Sequence, residues 1–425
     1  MWRLSFLHAA GVCTALAVSG LVMAAESTRT PSLPFDQTAY MHPQRRVAVG
    51  GGRRLNLYCS GSGKPAVILD AGAGGSMLDW YTIQPAIART TEVCSYDRAG
   101  REFSDPAPAP ASGLASAVDD LHALLHAATI ASPYVLVGHS LGGVIVLSFA
   151  DRYRAEVAGM VLVDPGHPEM FPRIAAAIAP APVYDKLVAQ AGRHLNDCIA
   201  AARRGAIRPG STAYKMCVSP TDPKFSTALN ASEQQRQRRL QWWEATKAET
   251  RMLHDLSPAE ITDMQQSLGA LPLIVLTASA HTIPGISGRQ QITIENLWKT
   301  MHGELAALSS EGLDRPVPCL THFIQLDCPS VVIGAIDEII SRVRSIRPPK
   351  LGADSQAMKS VTVPGAECPE RGCAVTRRRF PVGARPTRRF APASQERFSP
   401  PRLSASCGLR KETIAAMRRN GRDAP

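Results

Sequence analysis

Three consecutive segments constrain the fold more than any other feature of the chain: "YVLVG" (134–138), "LGGVIVLSFADRYRAE" (141–156) and "VAGMVLVDP" (157–165). The outer two are short, near-continuous apolar runs, and the middle one is long enough for a helix. An apolar run without polar alternation has both faces buried, as happens to strands of a parallel sheet covered by helices. The alternation extends in both directions. Upstream, "PAVILDAG" and "TEVCSYDRAG" predict strands. "SMLDWYTIQPAIART" and "LASAVDDLHALLHAATI" carry helical spacing, and "RRVAVGGGRRLNLYCSG" predicts a hairpin around a glycine turn. Downstream, "LPLIVLTAS" and "RPVPCL" predict strands, with helices around "IENLWKTMHGELAALSS" and over "PSVVIGAIDEIISRVRSI".

The alternation pauses over 166–268, where helical, polar sequence such as "SEQQRQRRLQWWEATKAETRMLHDL" contains no sheet strand. An insert of that length in a wound sheet predicts a helical cap. The core is then 44–165 plus 269–345. Residues 1–25 carry Arg3 and a long apolar stretch ending in Ala24 and Ala25, the pattern of a secretory signal peptide, with an uncleaved anchor as the rival. Residues 26–43, rich in Pro, Ser and Thr, are expected to be a linker. The segment 346–425 lacks an apolar period and is expected to be a disordered basic tail.

The tail also accounts for the net charge of +11. From Arg347 onward there are 17 Lys and Arg against 6 Asp and Glu, which leaves 30 of each sign in the rest of the chain. A neutral body argues against a nucleic-acid partner for the folded domain, although the tail could rest on an anionic surface. Six cysteines fall in the body, and none has the CxxC spacing of a zinc site. Outside the cytoplasm disulfides are permitted, and six cysteines allow about 15 pairings.

One serine interrupts the most apolar part of the chain. In Gly138-His139-Ser140-Leu141-Gly142 a predicted strand runs into a G-x-S-x-G pentapeptide and a helix runs out of it. This is the setting of a nucleophile elbow, where a side chain at Gly138 or Gly142 would strike the neighbouring turn. With "VILDAGAGGSMLDW", "YDRAGREFSDP", "VLVDPGHPE" and "THFIQLDCPSVV" in that order, the chain resembles the α/β-hydrolase superfamily over roughly 44–345. The resemblance implies an eight-stranded, mostly parallel sheet with helices on both faces and a cap inserted after the sixth strand.

It also implies a Ser-His-acid triad. Ser140 would be the nucleophile and His322, after the last strand, its base; His281 and His302 are rivals, and His139 lies too close to Ser140 along the turn. The family's commonest acid follows the seventh strand, but "TASAHTIPGIS" has no carboxylate there. Asp164, at the tip of the sixth strand, occupies the alternative position, unless it caps the segment that follows. Glu304 and Glu295 are more distant choices. The resemblance makes the N–H groups of Leu141 and Ala73 the oxyanion donors, with Ala71 where relatives carry His. Glu102 stands where relatives usually carry glycine and reads either as a substrate contact or as a solvated side chain. Trp242 and Trp243 either wall an apolar pocket or pack the cap. The implied sheet order lets Cys59 meet Cys94, places Cys198 and Cys217 together in the cap, and makes Cys319 and Cys328 bracket the His322 loop.

The expectation is therefore a secreted or periplasmic serine hydrolase cleaving a carboxylic ester or related acyl bond, with no cofactor or metal. Amide, lactone and thioester cleavage are left open, and a small or medium acyl group is expected by analogy. Halide or epoxide chemistry in this fold uses an aspartate at the elbow, which Ser140 replaces. A binding protein that has lost turnover and an acyltransferase are the alternatives.

Overall fold

The computed structural model describes residues 35–108, 113–178, 182–279 and 286–345. The predicted signal peptide, the tail and His281 lie outside them. The strands are β1 (Arg45–Gly50), β2 (Arg53–Ser60), β3 (Val67–Asp70), β4 (Val93–Asp97), β5 (Tyr134–His139), β6 (Val157–Val163), β7 (Leu273–Ala278) and β8 (Gly312–Val317). The helices of the body are α1 (Gln84–Ile87), α2 (Leu114–Ala127) and α3 (Leu141–Arg152) before the insert. Within the insert are α4 (Met170–Ala177), α5 (Pro182–Arg203), α6 (Thr212–Cys217), α7 (Thr227–Gln237), α8 (Leu240–His254) and α9 (Pro258–Met264). After it come α10 (Gly288–Ala306), α11 (Ile324–Asp327) and α12 (Pro329–Ser345).

One eight-stranded sheet has the order β1-β2-β4-β3-β5-β6-β7-β8. β1 and β2 run antiparallel to their neighbours, and β4, β3, β5, β6, β7 and β8 are parallel. β3, β5 and β7 are buried at every position. Alternate side chains serve two cores: Leu136 points into the one closed by α2, α3 and α10, and Val135 and Val137 into the one closed by α1 and α12. Each such Leu or Val, fully removed from water, contributes about 1.5–3 kcal/mol.

Two expectations shift at the margins. β8 is Gly312–Val317 rather than "RPVPCL", and "SMLDWYTIQPAIART" becomes a 3-10 turn at Met77–Trp80 followed by the short α1. Both are edge or connecting elements, where apolar spacing is weakest. A larger correction concerns residues 35–43 of the expected linker, whose first part, 26–34, lies outside the described residues. Residues 37–40 form a 3-10 turn capped by Asp36, with Ala39 and Tyr40 buried. Phe35, Tyr40, Tyr58, Tyr81, Phe225 and Leu229 pack together, and the Ser226 N–H donates to Gln37 Oε1 at 2.7 Å. Aromatic residues supplied enough apolar area to dock this segment despite its polar composition.

The insert has its own small core from α5, α6 and α8, including Trp243. Disulfides join Cys59 to Cys94, Cys198 to Cys217 and Cys319 to Cys328. The first links residues directly opposite in the β2–β4 ladder, with Cα atoms 4.1 Å apart. No helix among the described residues is long and apolar enough to cross a membrane.

Candidate active site

β5 delivers the chain to Ser140, which sits at φ 52°, ψ −115°, and α3 begins at the next residue. That left-handed backbone is costly for a residue with a side chain and persists only where surroundings enforce it. The enforcement is visible. The Ser140 N–H donates to Val163 O at 3.2 Å, and its carbonyl accepts from Gly143 and Gly166 at 3.0 Å each. A Cβ on Gly138 would lie 2.4 Å from Gly142 O, and one on Gly142 would lie 2.2 Å from Asp70 O. The flanking glycines are thus required by close backbone approach.

Asp164 follows β6, again with positive φ (43°), and is fully buried. Its Oδ2 accepts from His322 Nδ1 at 2.6 Å. Its Oδ1 accepts from the Ala278 N–H at 2.9 Å and from Trp298 Nε1 at 3.3 Å. The carboxylate therefore faces three hydrogen-bond donors. With Nδ1 donating, neutral His322 carries its lone pair on Nε2, the form a general base needs.

His322 lies against the elbow. Its carbonyl accepts from His139 Nε2 at 2.9 Å, and the two rings are 4.7 Å apart. A carbonyl only accepts, so His139 donates from Nε2. Burial, reinforced by the nearby His322, pushes the pKa of His139 down to about 3. His139 is a neutral clamp on the His322 backbone. The rival His302 is buried, with Nε2 on Pro165 O at 2.9 Å and Nδ1 on Thr277 Oγ1 at 2.8 Å. Glu304 pairs with Arg173 at 2.5 Å near the surface, and Glu295 accepts from Gln291 at 3.1 Å.

The loop after β3 is held by charges that the sequence reading left without roles. Arg98 donates to Asp70 Oδ1 (2.5 Å), Ala71 O (2.6 Å), Gly72 O (2.6 Å) and Glu249 Oε1 (2.9 Å). Glu249, on α8, also accepts from the Gly74 N–H at 2.7 Å. Arg101 donates to Gly75 O at 3.2 Å and to Thr246 Oγ1 at 2.7 Å. Because a trans peptide sets N–H and C=O antiparallel, the bond from Arg98 to Gly72 O turns the Ala73 N–H away from Arg98. Gly72 itself packs on the elbow: a Cβ there would be 2.7 Å from His139 Nδ1 and 3.3 Å from Ser140 Cβ. The Leu141 N–H belongs to the first turn of α3, where helix amides have no intrahelical acceptor.

Burial costs Arg98 solvation, but Glu249 and Asp70 outweigh that and raise its pKa. The two carboxylates respond oppositely. Burial raises Asp70, whereas Arg98, Arg101 and the Gly74 N–H offset burial and lower Glu249.

Glu102 corrects both of its sequence readings. It is buried, at φ 38°, and forms a short ion pair with Arg236 of α7. A carboxylate replaces the usual glycine because the insert brings a cation to meet it. The tryptophans divide: Trp243 is buried in the insert with Nε1 on Gln237 O at 2.8 Å, and Arg101 lies 4.5 Å over the ring of half-buried Trp242. A motif signal for Arg98 and Arg101 existed in "YDRAGR"; for Glu249 and Arg236, on polar helices, there was none.

Residues 65–191 match the family model of the α/β hydrolase fold. The protein YqjL of Bacillus subtilis (strain 168) is 24% identical over 279 residues, covering 66% of this chain and 85% of YqjL. A lipase candidate from Acinetobacter baumannii AYE superimposes with a TM-score of 0.52 at 19% identity, over 73% of this chain and 95% of that one. The chain has the α/β-hydrolase fold. The 2-hydroxy-6-oxo-2,4-heptadienoate hydrolase of Pseudomonas putida is 31% identical over 120 residues, 28% of this chain and 43% of that enzyme. Curated relatives above 30% identity are covered over less than half of their own length. These comparisons bear on the fold; the activity, the bond and the substrate are a separate question.

Proposed function

We propose that this protein of the α/β-hydrolase fold is a serine hydrolase cleaving a carboxylic ester or related acyl bond, with Ser140, His322 and Asp164 as its triad. The observation carrying this reading is the 2.6 Å bond from His322 Nδ1 to a buried Asp164 whose other oxygen is already occupied by two N–H donors. That arrangement fixes the tautomer of an imidazole whose own carbonyl is held by His139, the residue before Ser140. Ser140 Oγ attacks the acyl carbon while its proton passes to His322 Nε2, and Asp164 stabilises the resulting imidazolium. The developing oxyanion takes hydrogen bonds from the Leu141 and Ala73 N–H groups. His322 returns the proton to the leaving alkoxide, and water repeats the sequence to free the acid.

The non-catalytic reading drew its support from the missing carboxylate after the seventh strand. Asp164 supplies a carboxylate from β6, which weighs against it. Three disulfides are consistent with an oxidising compartment and support export of the chain. The test is a panel of p-nitrophenyl esters together with a fluorophosphonate probe. Wild type should turn over at least one ester and label at Ser140, and Ser140→Ala should do neither. Turnover by Ser140→Ala at the wild-type rate would remove the serine mechanism.

A further inference from the structure

At the opposite end of β6 from the candidate active site, three side chains converge. His122 and His126 are four residues apart on α2, so both rings leave the same helix face. His122 Nε2 lies 3.1 Å from Glu156 Oε1, and His126 Nε2 lies 3.0 Å from Glu156 Oε2. All three ligand atoms fall within 4.8 Å of one another. The ring of His122 is stacked on Tyr153 at 3.8 Å and 7°, which fixes its orientation, while His126 is 56% exposed and leaves a path for an ion.

We propose that His122, His126 and Glu156 form a binding site for a divalent transition metal of the Zn²⁺ type. Bond lengths of about 2.0–2.1 Å in a tetrahedral site put neighbouring ligand atoms about 3.3 Å apart. The two imidazole–carboxylate separations are already close to that edge. The two imidazole nitrogens must approach by no more than about 1.5 Å to reach the same edge, and rotation of the exposed His126 side chain supplies it. Coordination uses the Nε2 lone pair, so each neutral ring passes to its Nδ1–H tautomer; water completes the fourth position. Two imidazoles with one carboxylate favour zinc, nickel or copper over magnesium and calcium, which prefer all-oxygen sites.

The site has a structural consequence. Glu156 precedes the first residue of β6 and Asp164 follows its last, which at the rise of an extended strand separates them by roughly 25 Å. A metal here would rivet the C-terminal half of α2 to the start of a central strand without touching the candidate triad.

The test uses the full chain, stripped with EDTA and titrated with ZnCl₂, followed by calorimetry and thermal melting. Wild type is compared with His126→Ala and Glu156→Gln, both changes of side chains at the surface. Other cysteines and histidines of the chain, including Cys368 and Cys373, contribute equally to all three proteins and cancel. Wild type should bind one more equivalent of Zn²⁺ than either variant, or bind it at least roughly tenfold more tightly, since even outer partners of metal ligands are worth 10–100-fold. Zn²⁺ should raise the wild-type Tm more than that of the variants, and MgCl₂ should not. Equal stoichiometry, affinity and Tm shift in wild type and both variants would overturn the proposal.

Discussion

Asp164→Asn is the substitution that most directly tests the chemistry, because the structure dictates how an asparagine must sit. Oδ1 faces two donors, the Ala278 N–H at 2.9 Å and Trp298 Nε1 at 3.3 Å. Turning the amide NH₂ toward them would leave both buried donors unsatisfied, at about 1–3 kcal/mol each. The amide oxygen therefore takes the Oδ1 position, and the NH₂ group meets His322 Nδ1. That nitrogen must then accept, which moves the imidazole proton to Nε2, the atom that should receive the proton of Ser140. The shape of the site is preserved, but the base is presented in the wrong tautomer. In serine proteases the equivalent change lowers kcat by about 10⁴, and the same geometric cause applies here, corresponding to about 5.5 kcal/mol in the barrier. The assay is kcat on the best ester of the panel, with melting to verify that the variant is folded. A kcat within tenfold of wild type would refute the reasoning and move the acid to another carboxylate.

Glu249→Gln should destabilise the protein by about 3 kcal/mol, the lower end for breaking a buried ion pair because Asp70 still faces Arg98. For a body of roughly 300 residues this lowers the Tm by about 5 °C. Glu249 is held below its ordinary value of 4.5, so its contribution is complete above that pH and is lost as pH falls through the depressed folded value. The Tm gap between wild type and variant should be full at pH 7 and narrow below pH 4.5; a gap independent of pH would contradict the ionised pair. Gly142→Ala places a methyl group 2.2 Å from Asp70 O and 2.6 Å from Ala71 O, both backbone. It should cost about 3 kcal/mol, the upper range for overpacking. An unchanged denaturation midpoint would show that the elbow can open without cost.

What the amino-acid order disclosed, and what it hid, follows from the range of each interaction. β5, α3 and β6 are written in local periodicity, and Ser140 is marked by glycines two residues on either side. The approach of His322 to Asp164, 158 positions apart, could be anticipated only from strand order. Glu249 and Arg236 lie on polar helices of the insert and look solvated by local pattern, yet both are buried. Their partners, Arg98 and Glu102, are 151 and 134 positions away. Charges that sink into an interface leave no periodic trace, because the periodicity records apolar burial alone. Residues 35–43 differ from expectation for a related reason: their surroundings in sequence have the composition of a linker, and only the positions of Phe35 and Tyr40 against Tyr58, Tyr81 and Phe225 reveal that they dock.

With Asp164, just past the end of β6, as the proposed acid, the whole site is held differently. β5 and β6 are adjacent strands, and backbone hydrogen bonds join their ends: the Ser140 N–H donates to Val163 O, and the Gly166 N–H donates to Ser140 O. Serine and aspartate are thus fixed relative to each other by the sheet itself. The histidine alone rides on a loop, after β8 and before α12, and three separate restraints act on that loop. Asp164 holds the ring, His139 holds the carbonyl of the same residue, and the Cys319–Cys328 disulfide closes the loop around it. Preorganisation requires the group with the most freedom to receive the most restraint. His139, next to Ser140 and with its pKa pushed far down by burial, then has a physical reason to be an imidazole: it is a neutral donor short and rigid enough to pin His322 from the elbow itself.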